Sequence, residues 1–102
     1  MDLQTLQGYL VLSGIIFAIG AGGVLLRRSP LAILMCVELM WNAANIALIA
    51  AARYWGSAEG HVLAFLVITV AAAEVAIGLA IIVLLFRKKD AADVDDLQSL
   101  KG

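Results

Sequence analysis

The fold turns on one stretch, "VITVAAAEVAIGLAIIVLLF", residues 67–86. Nineteen of its twenty residues carry no charge, and the twentieth is Glu74. Roughly 20 consecutive apolar residues are what a helix needs to cross the hydrocarbon layer of a bilayer. No period-2 alternation suggests barrel strands. A helix satisfies its own backbone groups, which lipid cannot do.

Working outward, the chain holds three such runs, over about 6–26, 31–52 and 62–86. The 102 residues are 64% hydrophobic, with a mean hydropathy of +1.02. A soluble domain is roughly 45–50% apolar, and a soluble core this rich would lack the polar surface to cover it. The fold class is therefore an all-α membrane protein with three transmembrane helices. The short connections "RRSP" and "RYWGSAEGH" force an up-down-up arrangement. Residues 1–89 form the transmembrane domain, and residues 90–102 a short cytoplasmic tail.

The helix ends agree. Ser29 and Pro30 suit a helix start, as N-cap and first-turn proline. Arg27 and Arg28 close the first helix and Arg87, Lys88 and Lys89 the third, where cations favour the negative end of the dipole. Tyr54 and Trp55 follow the second helix, at headgroup level. Five of the seven Lys and Arg residues fall at 27–28 and 87–89, on one side of a three-span chain. The positive-inside rule then places the amino terminus outside and the carboxyl terminus in the cytoplasm. The opening Asp2 and the lack of a small-residue cleavage site argue against a cleaved signal peptide.

Other classes are excluded by composition. A net charge of -1 without basic tracts offers nothing to nucleic acid. A single cysteine, Cys36, allows no disulfide and reads as a small buried thiol. One His and one Cys far apart make no metal site. No phosphate loop or nucleophile motif is present. His61 reads as a boundary residue, Thr69 as bonded to its own helix, and Trp41 as packing. The small-residue stripes Gly14–Ala18–Gly22 and Ala72–Ala76–Ala80 suit close helix approach. In the tail, Ala91, Val94, Leu97 and Leu100 recur every three residues. That spacing fits either a frayed solvated end or a short helical turn docked on a neighbour.

Every charged residue lies outside the three spans except Glu38 and Glu74. A charge at the centre of a spanning helix costs about 2.5–3.5 kcal/mol on insertion scales. Low dielectric penalises the ionised carboxylate, so a proton that comes and goes with the surroundings is the natural answer, and a proton relay needs such groups. Glu38 lies eight residues after Pro30 and Glu74 thirteen before Arg87, which predicts depths differing by about 8 Å. Asn42 and Asn45 follow Glu38 by four and seven residues, within about 60° on one helix face. They suit either helix packing or support of a polar path. For the acids, the alternative to a relay is pairing for assembly alone.

"RRSP" after the first helix, "VELMWNAAN" in the second and "AAAEVAIGLAIIV" in the third resemble subunit K of the bacterial NADH:quinone oxidoreductase, respiratory complex I. Its mitochondrial counterpart is NADH dehydrogenase subunit 4L. The resemblance covers nearly the whole chain and includes the ending "VDDLQSLKG". It implies a multi-pass protein of the bacterial inner membrane, in the membrane arm beside subunits A, J and H and the antiporter-like subunits. It implies that Glu38 and Glu74 belong to a hydrated polar path from the quinone region, with Arg27 and Arg28 as the family's basic pair. It also implies a non-redox role: no cofactor in this chain, with NADH, FMN, iron–sulfur clusters and quinone handled by other subunits. The rivals are a small subunit of a cation/proton antiporter or membrane-bound hydrogenase, and an assembly scaffold.

Overall fold

The computed structural model describes the backbone of residues 1–101 and the side chains of residues 1–89. The expected tail at 90–102 falls outside the residues whose side chains are described. Three helices account for the chain: α1 (Leu3–Leu26), α2 (Pro30–Trp55) and α3 (Ala58–Lys101). Each is long and apolar enough to cross a membrane, α3 through its part Ala58–Lys89.

Local chemistry sets the helix ends, and it shifts them from the hydropathy limits. α1 starts before residue 6 because the Asp2 carboxylate accepts the Thr5 backbone N–H at 2.8 Å, satisfying one of the free donors of the first turn. α2 continues past residue 52 until Gly56, whose φ of 65° and ψ of 32° are left-handed. The Ser57 N–H then bonds the Ala52 carbonyl at 2.8 Å. α3 begins at once, its Gly60 N–H donating to the Ser57 hydroxyl at 3.0 Å. Of the expected connection "RYWGSAEGH", only Gly56 and Ser57 lie outside helix. Ser29 does precede α2, with Pro30 in the first turn, but its side chain makes no capping bond. Tyr54 and Trp55 meet edge to face at the end of α2, ring centres 4.8 Å apart.

α2 lies in the middle, packed against both neighbours; among the described residues α1 and α3 do not meet. Successive helices run antiparallel. On the α1 side Ser13 meets Ala43, Gly20 meets Met40 and Cys36, and Gly23 meets Cys36. On the α3 side Ala52 faces Gly60 and Leu34 faces Gly78. The smallest principal extent is 12 Å, about one helix diameter with side chains. The protein is a layer one helix thick.

Most of the buried residues are small, Leu6 and Ile82 being the large ones. Ala43, Ala50, Ala52, Ala64 and Ala71 are buried, while Leu25 and Leu26 are 84% and 82% exposed. This inverts a water-soluble core and leaves large apolar faces for lipid and neighbouring chains. The glycine contacts correct the stripe reading. A Cβ on Gly14 or Gly22 would meet nothing, whereas Gly20 and Gly23 lie against α2. On α3 the covered small residues are Ala64, Ala71 and Gly78, and Ala72, Ala76 and Ala80 are exposed. Spacing by four defines a face, but the packed face lies nearly half a turn away on α1 and more than a third of a turn away on α3.

Candidate functional site

The α2–α3 register fixes how the two acids stand. Eighteen residues separate Ala52 from Leu34 along α2, and eighteen separate their partners Gly60 and Gly78 along α3. Glu38 lies four residues from Leu34, and Glu74 four from Gly78. The acids therefore share one level across the seam. The expected offset of about 8 Å assumed that Pro30 and Arg87 are level. The register sets Pro30 opposite Ile82 instead, and the third helix overruns that end by more than a turn.

Glu38 is half-buried in a groove along this seam, with Leu34, Met35, Asn42, Val75 and Leu79. Glu74 is exposed on the single chain. The expectation of two buried acids is met only in part by this chain's own helices: a single layer covers what faces the seam and nothing that faces out. Lipid or neighbouring subunits must supply the rest of the cover.

The two asparagines separate. Asn42 is exposed and lines the Glu38 groove. Asn45 is buried, and its Oδ1 has no hydrogen-bond partner. Both follow Glu38 within a narrow arc, but α3 covers only the inner edge of that arc. Arg27 and Arg28 are exposed at the α1–α2 turn, where the Arg27 N–H bonds the Gly23 carbonyl at 2.9 Å. They stand at the end of the layer nearer Glu38, about two turns away, and do not join the acids.

Among the other candidates, Thr69 donates to the Phe65 carbonyl at 3.0 Å, as expected of a hydroxyl in an apolar helix. His61 is exposed in the first turn of α3. Trp41 is half-buried and lines a groove with Phe17 and Val24. Cys36 is half-buried against Gly23 rather than fully enclosed. Among the described residues no group of three His, Cys, Asp or Glu could hold a metal ion. Sequence reasoning missed Ser13, whose hydroxyl donates to the Ala43 carbonyl across the α1–α2 contact. Its signal was available: it is the single serine within the three apolar runs.

Residues 8–102 match the family model of NADH-ubiquinone/plastoquinone oxidoreductase chain 4L. The chain belongs to this family. Within the chain 4L family it is 61% identical over 101 residues to NADH-quinone oxidoreductase subunit K 1 of Symbiobacterium thermophilum, covering 99% of both chains. It is 57% identical to the subunit K of Deinococcus radiodurans, over 92% of this chain and 91% of that one. A subunit K of Methylacidiphilum infernorum is 55% identical, over 94% and 95%. The family membership agrees with the resemblance and with three apolar helices.

Proposed function

We propose that this chain is a membrane-arm subunit of a proton-pumping NADH:quinone oxidoreductase, and that Glu38 and Glu74 form one station of its proton relay. The observation that carries the reading is their common level across the α2–α3 seam, in a layer otherwise made of apolar helix. Membership of the chain 4L family favours this reading over the small subunit of an antiporter or hydrogenase.

The chemistry required of this chain is modest. A carboxylic acid in a low-dielectric layer holds its proton until the local field or hydration changes. Two carboxyls at one level feel each other's charge strongly when water is scarce. Loss of a proton from one favours its retention by the other, so a disturbance on one side of the seam is passed across it. NADH, FMN, iron–sulfur clusters and quinone in other subunits would supply the driving redox reaction. Subunits A, J and H and the antiporter-like subunits would complete the cover around Glu74 and the outer edge of Glu38. The basic groups at 27–28 and 87–89 orient the chain with its amino terminus outside the bacterial inner membrane.

Glu38→Gln tests the reading, because it keeps size and removes titration. In reconstituted vesicles the assembled variant complex is expected to lose proton pumping and quinone-coupled NADH oxidation. Normal pumping by fully assembled Glu38→Gln complex rejects the relay. Loss of assembly with pumping intact in what does assemble identifies a scaffold.

A further inference from the structure

Asn45 is the one buried side chain among the described residues whose polar atom lacks a partner. It is 6% exposed. An unmet acceptor in a buried site bears its full desolvation cost, and in lipid no bulk water relieves it. Its place follows from the register. Asn45 lies two turns from Ala52, on the side of α2 that meets α3, and its level on α3 is Val67. Ala64 and Ala71, both buried, stand one turn to either side of Val67. The α3 residues that the register sets at this level along the seam are thus apolar.

Among the described residues none donates to it. Backbone N–H groups of α2 and α3 at this level are spent within their helices. The Ser13 hydroxyl is given to Ala43 on the opposite side of α2. The Thr69 hydroxyl is given to Phe65. Trp41, one turn before Asn45, lines a groove with Phe17 and Val24 of α1 and does not bond the Asn45 oxygen. A small molecule that both donates and accepts meets the need, and the polar neighbour it requires is at hand. Asn42 stands three residues before Asn45 and four after Glu38, and such spacings set side chains next to one another on a helix. The oxygen and nitrogen ends of an amide have nearly the same shape, so Asn45 can turn either end to that side.

We infer that Asn45 and Asn42 hold an internal water molecule in the α2–α3 seam, and that this water carries the polar line of Glu38 and Glu74 about 10 Å further along α2, toward Trp55. Asn45 is then a positioning residue, setting the water rather than taking the proton. The transport consequence rests on the relay reading above; the water site does not.

The test uses the intact oxidoreductase complex. A cryo-microscopy map that resolves water is expected to show a peak about 2.8 Å from the Asn45 amide. Asn45→Leu should abolish the peak and lower proton pumping per NADH oxidised, with Glu38 and Glu74 untouched. Asn45→Ser keeps an acceptor oxygen and should recover both in part. A role in packing alone predicts the reverse order, Leu tolerated and Ser not, and overturns the inference. So does a wild-type map with no density there, or with a neighbouring subunit's side chain on the amide. If Leu prevents assembly, the wild-type map decides. If Glu38→Gln pumps normally while the water is present in wild type and absent in the Leu variant, the relay reading falls and the water site stands.

Discussion

Ser13 on α1 donates its hydroxyl to the backbone carbonyl of Ala43 on α2 at 2.5 Å, thirty residues away in sequence. That carbonyl also serves the α2 ladder, so the hydroxyl takes its second lone pair. Interhelical bonds of this kind in membranes average about 0.6 kcal/mol and reach about 1.7. Ser13→Ala is expected to lower the heat resistance of the α1–α2 contact by that order. Release of the subunit from purified complex on heating would measure it. No change in the release temperature would show the bond to be incidental.

Gly20 and Gly23 should be intolerant of a side chain, in that order. A Cβ on Gly20 would lie 2.8 Å from the Cys36 backbone carbonyl oxygen, which cannot move without bending α2. A Cβ on Gly23 meets first the Cys36 sulfur, the end of a side chain that can rotate. Gly20→Ala therefore should cost about 1–3 kcal/mol by overpacking, and Gly23→Ala less. Gly14→Ala should leave the isolated fold unchanged, since nothing lies near it. The yield of membrane-inserted subunit for the three variants ranks them.

The α2–α3 turn depends on Gly56. Its left-handed backbone costs a residue with a Cβ about 1–2 kcal/mol. Gly60→Ala adds a different fault, a Cβ 2.6 Å from that of Ala52. Both variants should loosen the hairpin, and the Ser57 amide, which bonds the Ala52 carbonyl, should exchange faster in Gly56→Ala than in the natural sequence. Equal rates would mean the turn does not set the register.

Asp2 gives a pH dependence with a definite sign. The Thr5 side chain and then its backbone N–H hold the Asp2 carboxyl below its ordinary value of 3.8. The folded value is depressed, so the cap's contribution is complete above the unfolded value and fades as pH falls through the lower, folded one. Amide exchange at Thr5 should accelerate across that acid window and not in Asp2→Asn, whose oxygen accepts at every pH. An equal acceleration in both would remove the cap from the account.

Glu74→Gln should also depress pumping in assembled complex, since the two acids share a level. If it pumps like wild type, Glu74 is a helix-packing group and Glu38 acts with an acid from another subunit.

The three spans were legible because lipid imposes one rule on every residue in them, and length with hydropathy states that rule fully. The ends were less so. A carboxylate three residues before the N–H that donates to it, or a glycine turned left-handed, extends a helix by a turn at no visible change in hydropathy, as at Asp2 and Gly56. Register was not legible at all. Nothing in "RRSP" or "RKK" says that Pro30 stands opposite Ile82. That relation comes from Gly60 admitting Ala52 and Gly78 admitting Leu34. The same limit affected the small-residue stripes: periodicity shows that Gly14, Ala18 and Gly22 share a face, not that the neighbour chooses it. Glu38 and Glu74 stood out by charge alone, while the different surroundings of Asn42 and Asn45 depended on where α3 lies.

A sheet of helix this thin is a septum rather than a body. α1 and α3 flank α2 on opposite edges, so both broad sides of α2 are left open to whatever abuts them. Two neighbours on those sides would be parted by a single ply, and a charge placed on one would act on the other with little material between. The chain's service to a larger machine would then be its narrowness: a wall across which an electrical signal is hardly attenuated, with Glu38 seated at its inner seam.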